Sequence, residues 1–181
     1  MTRDKALQMI KEKVSNKNLQ KHMLATEAVM RLLARRMDED EALWGLAGLL
    51  HDLDYDQTVN DFPKHGLLTA EMLEKTDVPE QAIYAIKSHP GHFPRKSALD
   101  KALYAVDPVT GLIVAAALMH PTKKLKNVDT DFVLRRFKEK RFAAGADRDQ
   151  IRSCSELGFD LEDFVSLSLE AMQGIHQELG L

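Results

Sequence analysis

Apolar residues recur along this chain at the i, i+3, i+4 and i+7 spacing of an α-helix, and nowhere does an alternation of period two last for the length of a strand. The pattern predicts helices over 3–15, 18–37, 40–51, 64–75, 79–89, 98–106, 108–119, 129–139, 147–158 and 160–179. Asp38 stands before the acidic turn Glu39, Asp40 and Glu41, which suits the positive end of a helix dipole. In Asp77-Val78-Pro79-Glu80 the proline falls in a first turn, where its missing N–H costs nothing. Breaks are expected at 55–63, 89–97 and 120–128, where turn formers cluster. Pro108 lies between two helical patterns, so it either starts a new helix or kinks a continuous one. Gly111 and Ala115–Ala117 make a small-residue face against which another helix, or a second subunit in a homodimer, can pack closely. The expected fold is all-α: one helical domain over 1–181, with a core at about 19–120 and C-terminal helices over 129–179 packed on it.

Composition narrows the setting. Of 181 residues, 44% are hydrophobic and 6% aromatic, enough for a core without disulfides. Lys and Arg number 25 against 28 Asp and Glu, a net charge of −3, so no overall basic field invites nucleic acid as a partner. Cys154 is the sole cysteine, which fits a reducing compartment, and no chemistry is assigned to it. Residues 1–13 carry no apolar signal-peptide core, and no run of 18 apolar residues suggests a membrane span. A cytoplasmic location is expected.

Histidines and carboxylates carry the chemistry. Seven histidines occur, at 22, 51, 65, 89, 92, 120 and 176. His22 shares the apolar face of its helix with Leu19, Met23, Thr26, Val29, Met30 and Leu33, as an ordinary buried histidine or as a ligand. His51-Asp52 follows the apolar run Gly48-Leu49-Leu50. Burying that pair is costly unless something neutralises it, and a metal ion does so. Otherwise His51 sits at a helix C-terminus with Asp52 capping the next turn. His65 opens a predicted helix, His89 ends one, and Asp107 lies four residues after Leu103 on an apolar face. Several helices thus each direct one His or Asp toward the same interior, the way bundle metal sites are built.

The order His22, His51-Asp52, His65, His89, Asp107 resembles the ligand series of the HD-domain superfamily of metal-dependent phosphohydrolases, in its two-metal version. The resemblance covers about residues 19–120, and the tail, with Cys154-Ser155-Glu156-Leu157-Gly158 and Ala171-Met172-Gln173-Gly174-Ile175, is similar to that of small bacterial HD hydrolases. It implies that His22, His51, Asp52 and Asp107 hold one metal and that Asp52 bridges to a second held by His65 and His89. It further implies cleavage of a phosphate ester or anhydride, in a small substrate such as a nucleotide, by a hydroxide bridging two divalent transition-metal ions. Iron is the first expectation, with Mn, Co, Ni or Zn as substitutes. An HD-type di-iron oxygenase and a non-catalytic nucleotide-sensing module are the alternatives.

The sequence departs from the HDIG subset at Asp54, where that subset has glycine, and Pro90 follows His89 where some relatives place another histidine. Asp54 and Asp56 are loop and cap residues, or Asp54 orients a ligating histidine or shuttles a proton. For the substrate, Lys64, Arg95, Thr110, Lys123 and Lys124 are candidate contacts, although a basic run is ordinarily a solvated face. His92 is a candidate general acid. The basic segment around Arg135, Arg136, Lys138, Lys140 and Arg141 is interleaved with Asp131 and Glu139 and reads as a solvated helix face.

Overall fold

A computed structural model describes residues 1–181 and contains helices and turns but no strand. The helices are α1 (Arg3–Lys13), α2 (Lys17–Met37), α3 (Glu41–Leu50), α4 (Tyr55–Thr58), α5 (Leu67–Leu73), α6 (Glu80–Ser88), α7 (Ala98–Met119), α8 (Thr130–Lys138), α9 (Arg148–Arg152), α10 (Leu161–Gly174) and α11 (His176–Leu179). Their starts follow from short polar side chains that satisfy free N–H groups. Asn16 caps α2, Asp40 accepts from the Ala42 and Leu43 amides of α3, and Ser97 with Asp100 forms a reciprocal capping box on α7. Asp38 takes a different place from the expected helix start: with φ at 57° it is the left-handed end of α2.

One cluster of 44 buried side chains runs from Ala6 to Leu179. The helix α2 packs on α3, α7 and α10, and α6 and α9 pack on α7. Gly48 allows the α2–α3 approach, since a Cβ there would stand 2.9 Å from the Met30 side chain and 3.0 Å from the Thr26 carbonyl. That closeness brings the inner face of α2 up to the end of α3.

The two helices expected over 98–106 and 108–119 are one, α7, with Pro108 inside it. By length and composition α7 could cross a membrane, with a mean hydropathy of 1.8 over its most apolar window, which the expectation drawn from unbroken apolar runs did not register. Here it is a core helix with twelve buried residues, among them Asp100 and Thr110. Other boundaries also shift. The helix expected over 64–75 starts later: a 3₁₀ turn at Phe62–Lys64 is followed by His65 in extended backbone and Gly66 at φ 77°. A Cβ on Gly66 would meet the Ile86 carbonyl at 2.9 Å, so glycine serves both the turn and the close contact. The expected break at 55–63 contains α4, and the expected helices over 147–158 and 160–179 divide at Ser153 and Ile175.

Candidate metal centre

Five elements each contribute one or two side chains to a single point. His22 comes from α2, His51 is the last residue of the α3 turn, Asp52 follows it, His65 precedes α5, His89 ends α6, and Asp107 lies midway along α7. His51, Asp52, His65 and His89 are buried, whereas the side chains of His22 and Asp107 are 22% and 28% exposed. The open side of the centre is therefore at His22 and Asp107.

The distances fall into two sets. His22 Nε2 is 3.1 Å from His51 Nε2, 3.0 Å from Asp107 Oδ1 and 3.5 Å from Asp52 Oδ2, and His51 Nε2 is 3.4 Å from the same Asp52 oxygen. On the other side His65 Nε2 is 3.2 Å from His89 Nε2, and these lie 3.3 and 3.6 Å from Asp52 Oδ1. Asp52 thus turns one oxygen to each histidine pair, and its buried Oδ1 makes no hydrogen bond.

Each histidine is pinned through its other nitrogen. His51 Nδ1 is 2.8 Å from the Gly48 carbonyl, and His89 Nδ1 is hydrogen-bonded to the Ile86 carbonyl at 2.6 Å. Both rings end a helix and donate to a last-turn carbonyl that has no amide partner. His65 Nδ1 donates to Asp54 Oδ1 at 2.8 Å. His22 Nδ1 donates to the Thr110 hydroxyl at 2.9 Å, since that hydroxyl spends its own proton on the Asp107 carbonyl. With all four Nδ1 atoms carrying the proton, four Nε2 lone pairs and two carboxylates face one another. Such an arrangement is stable only around positive charge. A metal–donor distance of about 2.0–2.2 Å puts neighbouring donors roughly 3.0–3.5 Å apart, close to the separations here. The donor set fits metal ions.

The charges respond accordingly. Burial pushes the Asp52 carboxyl up, but His51, His89 and His22 outweigh it and hold it at about 2. Burial pushes His51 down, and Asp52 and Asp107 overcome this and raise it to about 9. His89 is pushed down by burial, which keeps its ring neutral. Asp54 is fully buried. Burial pushes its carboxyl up, but the His65 ring and the Thr69 amide hold it below the ordinary range. The Asp54 amide in turn donates to the Thr69 hydroxyl, so His65 and Thr69 hold the carboxylate and Thr69 also holds the backbone that carries it. Of the readings open for Asp54, the contact to the His65 ring is the one its geometry makes. Asp56 instead lies at the surface, accepting from Ser15.

The centre opens into a cavity of about 420 Å³ lined by Tyr55, Phe62, Pro90, Pro108, Gly145 and Gln150 as well as by ligand-set residues. No Lys or Arg lines it. Lys64 is ion-paired with Asp61 at the surface, and Arg95 is held 2.8 Å from Glu156 with its guanidinium 4.0 Å from the Tyr104 ring. Lys123 and Lys124 sit in the turn beyond Met119. Twelve helical residues separate Asp107 from Met119, about 18 Å along the axis, so α7 carries these lysines away from the His/Asp cluster. His92 is exposed and donates Nε2–H to the Phe62 carbonyl at 3.0 Å, outside the cavity wall. Thr110 touches the His22 ring and not the cavity. Tyr55, Phe62 and Gln150 were not singled out in the sequence; the one local signal was an aromatic pair inside a polar break.

Comparison with known proteins bears on this arrangement. The chain is similar to ribonuclease Y of Desulfotalea psychrophila (strain LSv54 / DSM 12343), 27% identical over 137 residues that cover 73% of this chain and 26% of that protein. It is similar to ribonuclease Y of Sulfurovum sp. (strain NBC37-1), 28% identical over 131 residues, covering 71% and 26%. The chain therefore spans about a quarter of the length of these relatives. No solved structure matches at comparable significance. The HD domain family model matches residues 19–118, more than half of the chain and all six members of the ligand set. On that match the chain belongs to the HD-domain family of metal-dependent phosphohydrolases.

Proposed function

We propose that the protein hydrolyses a phosphate ester or anhydride of a nucleotide at a centre of two divalent transition-metal ions. The observation that carries this is the Asp52 carboxylate, with one oxygen toward His22 and His51 and the other toward His65 and His89. One ion would be held by His22, His51, Asp52 and Asp107, the other by Asp52, His65 and His89. Mixed imidazole and carboxylate donors suit iron first, then Mn, Co, Ni or Zn, ahead of Mg or Ca. Bound there, such ions polarise the phosphoryl oxygens and make water a nucleophile near neutral pH.

The chain's own part is orientation and access. Gly48, Ile86, Asp54 and Thr110 hold four rings so that no ligand must turn on binding. His22 and Asp107, the most exposed members, face the entering substrate. Outside the ligand set the cavity wall offers only Tyr55 and Gln150 as polar side chains, and the Gln150 amide nitrogen is engaged with the Tyr104 carbonyl at 2.9 Å. Protons for the leaving group therefore come from solvent.

Metal analysis and a phosphate-release screen test the proposal. Two equivalents of transition metal per chain are expected. Asp52→Ala should retain no more than one, keep its far-UV helical signal and lose on the order of 10³-fold in turnover. Activity within tenfold of wild type would remove Asp52 from the bridging position. Phosphate release without oxygen separates this reading from the di-iron oxygenase. A phosphodiester in RNA is a second reading, favoured by the two ribonuclease Y matches. A wall without cations suits a small substrate better than a polyanion, and cleavage of an RNA oligomer in preference to mononucleotides would reverse that choice.

A further inference from the structure

Five large apolar side chains stand out of the surface: Tyr55, Val59, Phe62, Leu118 and Met119. Three of them fall on the stretch from Tyr55 to Phe62, and two of these, Tyr55 at 39% and Phe62 at 56% exposure, line the metal cavity. Their ring centres lie 5.4 and 5.8 Å from that of His65. Aromatic rings left in water beside a centre are unusual in a chain with only 6% aromatic residues and a well-filled core.

The backbone that carries the two rings is fixed. Val59 N–H donates to the Tyr55 carbonyl at 3.0 Å, Asp61 N–H to the Thr58 carbonyl at 2.8 Å, and His65 N–H to the Phe62 carbonyl at 3.0 Å. The His92 imidazole donates to that same Phe62 carbonyl and sets its ring 5.2 Å from the Phe62 ring. A platform already ordered in this way loses little freedom when a ligand lands on it.

We infer that Tyr55 and Phe62 are specificity-determining residues that stack the nucleobase of the substrate while its phosphate lies at the metal ligands, with His92 as the brace of Phe62. The inference rests on the hydrolase reading and deepens it. With no Lys or Arg in the wall, affinity for the part of the substrate beyond the scissile phosphate must come from apolar and π contact. Stacking uses the face of a base, so the enzyme discriminates base from no base more sharply than one base from another.

The test compares adenosine 5′-monophosphate with ribose 5-phosphate, which present the same primary phosphoester with and without a base, on the metal-loaded enzyme. Wild type should prefer the nucleotide in kcat/KM. Phe62→Ala and Tyr55→Ala should each shrink that preference by roughly 5- to 150-fold, through KM, with metal content unchanged, and Phe62→Trp should keep it. Calorimetric affinity for adenosine, which has no phosphate to lose, should fall in the same two alanine variants. A preference that survives both, or an adenosine affinity that does not move, overturns the platform. Failure to release phosphate from either compound would count against the hydrolase reading, while the adenosine measurement would still decide the role of the rings.

Discussion

At the scale of single residues, Asp54 separates holding a ligand from being one. Its carboxylate reaches no metal position, but it fixes His65 at 2.8 Å and takes the Thr69 amide at 3.0 Å. Removing it frees a buried ring and leaves a buried N–H unpaired, at a cost of about 1–3 kcal/mol. Loss of such a partner typically weakens metal affinity about 10- to 100-fold. Asp54→Ala is therefore expected to bind metal at the proposed His65–His89 position more weakly by that factor, measured by competition with a chelator, and to recover activity when metal is supplied in excess. Asp54→Asn, whose amide oxygen can still accept from His65, should lie between the two. Unchanged metal affinity in Asp54→Ala would reduce Asp54 to a packing residue. His51-Asp52-Leu53-Asp54 displayed this acid in the sequence. What it could not display was that the carboxylate turns inward, because Thr69 and His65 reach it only after the Gly66 turn folds back.

At the scale of elements, Pro108 is the instructive case. Proline in a helix interior removes the hydrogen bond to the carbonyl four residues earlier and costs about 3 kcal/mol or more. That carbonyl belongs to Tyr104, and the Gln150 side chain from α9 donates to it at 2.9 Å. The pairing explains why α7 stays one helix, and why spacing alone left a new helix and a kink equally open: the compensating donor lies far along the chain. Helix-end histidines were legible for the opposite reason. His51 and His89 each close an apolar run, and each pairs with a carbonyl only three residues back. Lys123 and Lys124 lie beyond the far end of α7, about 18 Å along the axis from Asp107, a separation that the helix expected over 108–119 already implied. A double-mutant cycle checks the Pro108–Gln150 link. Gln150→Ala alone should destabilise by about 1 kcal/mol, and by much less in a Pro108→Ala background, where the backbone N–H restored by that substitution can serve the Tyr104 carbonyl instead. Equal costs in both backgrounds would mean that Gln150 acts elsewhere.

At the scale of the whole molecule, the proposed metals would join segments that the core already holds. The ligands span His22 to Asp107 on five elements, while 44 buried side chains pack those helices independently of any ion. Chelation should therefore lower Tm without abolishing helicity. An ion held at 1,000 times its Kd adds about 4 kcal/mol, on the order of 10 °C for a chain of this size. The effect should depend on pH in a direction set by His51 and Asp52. In the metal-free protein His51 is raised from its ordinary 6.5 to about 9, so its contribution is complete below pH 6.5 and is lost as pH climbs through 9. Asp52 is lowered from 3.8 to about 2, so its contribution is present above 3.8 and is lost as pH falls through 2. Between pH 6.5 and 9 the metal-free protein thus loses the stabilisation of a charged His51. Over the same interval metal binding strengthens, because it requires the neutral ring and no longer competes with a proton. The Tm difference between loaded and metal-free protein should accordingly widen from pH 6 through 7.5 to 9, measured by calorimetry with and without chelator. A constant difference across that range would show that proton and metal do not compete at His51, and would move the first ion away from the His22–His51 pair.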